Sequence, residues 1–149
     1  MTTAPEDHSP IDERASATPA RKREVEVASI AGTLHAEVTS ASARWTLDAE
    51  SADGPDPVTA FLGALGGCLL MSLRIAAQVR NAQLGCAGVR VSANEKGHLK
   101  EIKVELEVQT ALDDERLARL VEVAERGCHI KAMLRQDLAF NLTVRRSAD

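Results

Sequence analysis

The stretch from Pro57 to Arg80 constrains this chain more than any other part of it. It reads PVTAFLGALGGCLLMSLRIAAQVR and carries no charged residue before Arg74. Asp56 followed by Pro57 is a helix-opening pair: the short carboxylate accepts the first free N–H groups, and proline suits the first helical turn. The spacing predicts one long helix over 57–80. Because that helix is apolar almost all round, it must be covered on most of its sides. Gly63, Gly66 and Gly67 would each cost a solitary helix roughly 1 kcal/mol relative to alanine. Their presence predicts that another backbone packs very close to this face. The most strongly apolar part, Val58 to Met71, is too short to span a bilayer, so a folded body must be built around the helix.

Period-two segments flank it. Val25, Val27 and Ser29, then Leu34, Ala36 and Val38 after Ala31-Gly32, predict a hairpin of half-buried strands. A third strand follows over about 43–49, with Trp45 and Leu47 on one face, and the loop 50–56 carries the breakers Ser51, Asp53, Gly54 and Pro55. Beyond a turn at 81–85, Val89, Val91 and Ala93 alternate with polar residues. After Asn94-Glu95-Lys96-Gly97, so do Ile102, Val104, Leu106 and Val108. Such clean alternation predicts one buried and one wet face. Asp113-Asp114 caps a second helix with Leu117, Leu120, Val121 and Ala124 at helical spacing. Gly127 interrupts it, Cys128 opens a short helix over 129–135, and a last strand runs from Leu138 to Arg145. The fold class is therefore α+β, in the order β-β-β-α-β-β-α-β. Residues 1–23 hold three prolines, only one large aliphatic (Ile11), and the basic run Arg21-Lys22-Arg23. They read as a flexible tail, leaving 24–146 as a single domain.

Composition excludes several function classes. Aromatic residues are 2% of the 149-residue chain, which argues against stacking platforms for bases or sugars. A formal net charge of −4 gives no global attraction for nucleic acid or an anionic membrane. No apolar signal-peptide core opens the sequence, and the expected setting is the cytoplasm. The three cysteines, Cys68, Cys86 and Cys128, are odd in number and widely spaced, unlike a disulfide framework. In a reducing compartment such thiols are either packed as small hydrophobes or kept for reactivity.

Taken alone, mid-helix Cys68 reads as a packed core thiol. Cys128 follows a glycine at a helix break, where free N–H groups and the helix dipole favour a thiolate, although a small residue at a junction fits the position as well. Cys86, between Gly85 and Ala87-Gly88, reads as structural. His129 beside Cys128 makes a poor chelating pair, His35 and His98 stand alone, and no metal or other cofactor is expected.

Two motifs carry a resemblance to a known family. The run GPDPVTAFLGALGGC over 54–68 is a proline loop entering a cysteine-bearing helix, and the run ERGCHI over 125–130 supplies a second cysteine 60 positions after Cys68. Together, and in this element order, they resemble the OsmC/Ohr family over about residues 24–146. The resemblance implies an intertwined homodimer with curved antiparallel sheets wrapped around central Cys68 helices. It also implies a thiol peroxidase for organic hydroperoxides. In that scheme Cys68 attacks the peroxide and becomes a sulfenic acid, Cys128 resolves it to a disulfide, and a dithiol reductant restores the pair. Phe61, Leu65, Leu69 and Met133 would line the substrate pocket.

The chain departs from the family pattern at three points. The glutamate that follows the loop proline in active members is replaced by Val58-Thr59, and the early turn Ala31-Gly32-Thr33 offers no arginine, leaving Arg44 as the nearest candidate. His129 stands where the family has proline. A buried thiolate without a cation nearby is expected to have a raised pKa. The alternative reading is a non-catalytic or redox-sensing dimer that binds a small apolar ligand at its interface.

Overall fold

A computed structural model describes residues 20–147. The expected tail over 1–23 lies outside these residues except for 20–23, which are exposed and without regular structure. Three short strands, β1 (Glu26–Ser29), β2 (His35–Thr39) and β3 (Arg44–Asp48), form an antiparallel sheet in chain order. Gly32, with φ +75°, takes the left-handed conformation that closes the first turn. A long helix α1 (Pro57–Val79) follows, then the second sheet of β4 (Ala87–Lys96), β5 (His98–Gln109) and β6 (Ala139–Ser147). Helices α2 (Asp114–Gly127) and α3 (His129–Ala132) join β5 to β6. The short helix ends at Ala132 rather than continuing to Arg135, because the Met133 and Leu134 amides close tight turns on Ile130 and Lys131.

The loop before α1 is built from its own side chains. Asp48 is buried, and its carboxylate accepts N–H bonds from Glu50, Ala52 and Asp53 at 2.8, 2.9 and 2.9 Å. Gly54 lies so near β3 that a Cβ there would sit 2.3 Å from the Thr46 carbonyl oxygen. Asp56 then caps α1 by accepting from the Val58 and Thr59 amides, with Pro57 opening the first turn.

Strand β5 is the centre of the second sheet. Its alternate residues Ile102, Val104, Leu106 and Val108 are buried while Lys103, Glu105 and Glu107 face out, as the alternation predicts. β4 pairs with it antiparallel, but β6 pairs with it parallel. This corrects the expectation of purely antiparallel sheets: the α2–α3 crossover returns the chain to the same end of the sheet before β6 begins. Helices α1 and α2 pack against each other, and both meet this sheet. One core, around Leu73, Ala77, Val108 and Leu120, joins the C-terminal half of α1 to α2. The other, around Leu65, Leu69, Ile102 and Val104, joins its N-terminal half to the sheet and to Cys128.

One side of α1 stays open. Ile75 is 60% and Val79 73% exposed, Met71 is exposed with them, and no described residue meets a Cβ placed on Gly63 or Gly67. The close approach expected at the glycines is found only at Gly66, and there it is made by side chains, Val89 and Val91, rather than by backbone. The helix runs on past Met71, and its 23 residues are long and apolar enough to cross a membrane by length and composition alone. Its opposite face nevertheless packs into a globular core. The first sheet also exposes the apolar side chains of Val27 and Trp45, and Leu34 in the turn before β2 is 69% exposed.

Candidate functional site

Helix α1 presents Cys68 half-buried beside the α2–α3 junction, where Cys128 is completely buried. Cys128 both ends α2 and caps α3. Its N–H donates to the Glu125 carbonyl at 3.2 Å, and its Sγ accepts the Lys131 N–H at 3.4 Å. The turn thereby brings the two cysteines, 60 residues apart in sequence, into one packed cluster, close enough for each to shift the ionisation of the other.

Their ionisation is asymmetric. Burial opposes a charge on Cys68, but the Ile130 amide, the Cys128 thiol, the His129 amide and the Ser72 hydroxyl outweigh it and hold its pKa below the ordinary thiol value. Burial pushes Cys128 up, its own contact with the Lys131 amide opposes this, and the hydrogen bond and charge of Cys68 push it higher still. Of the two thiols, Cys68 is therefore the one whose ionisation is favoured. This reverses two expectations. The amides at the helix break leave Cys128 raised while those of Ile130 and His129 help to lower Cys68, and the groups that lower Cys68 are hydrogen-bond donors rather than a cation.

The remaining predicted residues fall in different places. Leu65 and Leu69 are buried in the core behind the thiols, and Phe61 is partly buried against the same cluster. Met133 is 75% exposed, so these four do not form one continuous wall within the chain. Arg44 is exposed on β3 and faces Glu37 at 3.7 Å. The His129 side chain is exposed, and its amide rather than its ring serves Cys68. Cys86 is exposed just before β4, where its amide donates to the Gln109 side chain at 3.1 Å.

His35 does not stand alone. Its Nε2 lies 3.4 Å from Asp48 and 3.9 Å from Asp53, and the three groups bring possible ligand atoms within 4.8 Å of one another. Both Asp48 oxygens are already engaged by loop amides, which makes the cluster the anchor of the loop before α1.

Sequence reasoning overlooked Ser72, one helical turn beyond Cys68, although its i+4 spacing was a readable signal. It also overlooked Lys131 and Glu125, which pair at 2.5 Å across the junction; only the folded turn brings them together.

Comparison with known proteins settles the family. Residues 50–143 match the family model described as OsmC-like protein. The chain belongs to the OsmC-like family. An uncharacterised protein of Haloferax volcanii is 29% identical over 101 residues, spanning 66% of this chain and 76% of that one. The crystal structure of an OsmC-like protein from Mycoplasma pneumoniae superposes with a TM-score of 0.75 at 16% identity, covering 86% of this chain and 97% of its own. The organic hydroperoxide resistance protein OhrB of Bacillus subtilis gives 0.60 at 23% identity, covering 82% and 98%. At these identities the two crystal structures show a shared α+β fold.

Proposed function

We propose that this OsmC-like protein is a thiol peroxidase for organic hydroperoxides, working as a homodimer. The observation that carries the reading is the packing of half-buried Cys68 beside buried Cys128, in surroundings that lower the Cys68 pKa and raise that of Cys128. The Cys68 thiolate attacks the terminal oxygen of a hydroperoxide ROOH, and the O–O bond breaks. The leaving alkoxide takes a proton to give the alcohol ROH, and Cys68 becomes a sulfenic acid. Once that sulfur is no longer an anion, the charge that raised the Cys128 pKa is gone, and Cys128 ionises more readily. Its thiolate attacks the Cys68 sulfur, hydroxide leaves as water, and a disulfide forms. An external dithiol exchanges with this disulfide and returns both cysteines to thiols.

Two further features support the reading. The organic hydroperoxide resistance protein OhrB, by its name a protein of that role, has the same fold. The open face of α1 and the exposed apolar side chains of the first sheet are what a second copy would cover. Steady-state consumption of cumene hydroperoxide, with a dithiol reductant, tests the proposal. Turnover that exceeds that with hydrogen peroxide and disappears in Cys68→Ser is expected. Thiol loss no faster than that of a small free thiol would overturn it.

A further inference from the structure

Lys131 and Glu125 close a loop around the turn that carries Cys128. Glu125 stands in the last turn of α2 and Lys131 in α3, with Nζ 2.5 Å from Oε1 and both side chains largely shielded from solvent. The same ammonium lies 4.8 Å from the centre of the Phe140 ring on β6. The Lys131 amide is on the Cys128 sulfur, and the Glu125 carbonyl accepts the Cys128 N–H. Two residues thus bind α2, α3 and β6 together where the amides of His129 and Ile130 converge on Cys68. Two other ion pairs of α2, Glu115–Arg119 and Glu122–Arg126, join neighbouring turns of one helix and are mostly exposed, and its Asp114–Arg146 pair to β6 has a carboxylate 85% exposed. Pairs of that kind contribute little. The Lys131–Glu125 pair differs in spanning a helix break with both side chains mostly shielded.

We infer that Lys131 and Glu125 are the positioning clasp of the thiol site, fixing the α2–α3 turn so that its amides stay aimed at Cys68. The clasp acts through the turn and not through the charge of the lysine. This rests on the reading of Cys68 as the reacting thiol. The ionisable groups at the turn are Cys68, Cys128, Glu125 and Lys131, with the exposed His129 next to Cys128 in sequence and Arg126 facing Glu122.

The sign of two substitutions separates position from charge. In a Cys86→Ser background, the rate of Cys68 alkylation by iodoacetamide is followed against pH without peroxide. A positioning clasp requires Lys131→Met and Glu125→Gln both to raise the apparent Cys68 pKa. A rise of about one unit leaves about tenfold less thiolate below the pKa. The double variant should equal either single one, and Lys131→Arg should restore the wild-type profile, since a guanidinium can pair with Glu125 over the same ring. A direct charge effect instead requires Lys131→Met to raise the pKa and Glu125→Gln to lower it. Opposite shifts, or none, would overturn the inference; if Lys131→Met does not fold, Glu125→Gln decides alone. Alkylation needs no hydroperoxide, so a protein that fails to consume peroxide yet shows both upward shifts would sink the peroxidase and leave the clasp standing.

Discussion

Ile75→Asp tests the second copy where the structure is most explicit. Ile75 is 60% exposed on the open side of α1, in line with exposed Met71 and Val79. Fully burying an aliphatic side chain of this size contributes about 1.5–3 kcal/mol, so covering the exposed part of Ile75 contributes about 1–2 kcal/mol per chain. In a two-fold dimer each substitution counts twice. The loss is therefore about 2–4 kcal/mol before the cost of desolvating two carboxylates, or a Kd raised by roughly 30-fold to 1,000-fold. Sedimentation velocity across a dilution series should show the wild-type chain as a dimer and Ile75→Asp dissociating at correspondingly higher concentration. Because little of Ile75 is in the core, a chain that stays folded should keep its helix content by circular dichroism. An unchanged Kd would refute the argument that a second copy covers this face.

Gly54→Ala should be among the most destabilising small changes in the chain, since its Cβ would fall 2.3 Å from a backbone oxygen that has no freedom to swing away. A lowered Tm measures this, and an unchanged one contradicts the packing of the loop on β3. Gly67→Ala meets no described residue and should stabilise an isolated helix by up to about 1 kcal/mol; a fall in Tm would mean that a second backbone lies there. Asp48 is held below its ordinary pKa chiefly by the Asp53 and Glu50 amides, against burial, with help from Ala52 and His35. The folded state therefore binds fewer protons than the unfolded one. The stability Asp48 contributes is fully present above its unfolded value of about 3.9 and is lost as pH falls through its lower folded value. Asp48→Asn should flatten the acid limb of stability against pH, and an unaltered limb would contradict the role of the amides.

The elements that sequence patterns reveal here are those whose physics is local. The cap at Asp56-Pro57 and the alternation along β5 each depend on residues within a few positions of one another, and both stand as expected. Period two cannot say which neighbour a strand takes, so the parallel pairing of β6 with β5 became visible only in the fold. The site was legible as two cysteines and no further. Which of them ionises depends on where the amides of His129 and Ile130 point, and that is set by a turn packed against α1 from 60 residues away. Leu65 and Leu69 read equally as pocket or core from sequence, because both environments are apolar; the turn of α1 puts them inside. Lys131 and Glu125 resembled ordinary surface charges until the helix break brought them together.

The central claim is that Cys68 and Cys128 act as one redox pair. Its most direct test is to treat the reduced, full-length chain with one equivalent of cumene hydroperoxide and map the product by peptide mass spectrometry under non-reducing conditions. The account predicts loss of two thiols and two hydrogens, with the Cys68 and Cys128 peptides joined within one chain and Cys86 still free. A product in which Cys86 is linked, or in which Cys68 is oxidised to sulfinic acid while Cys128 remains a thiol, would contradict it.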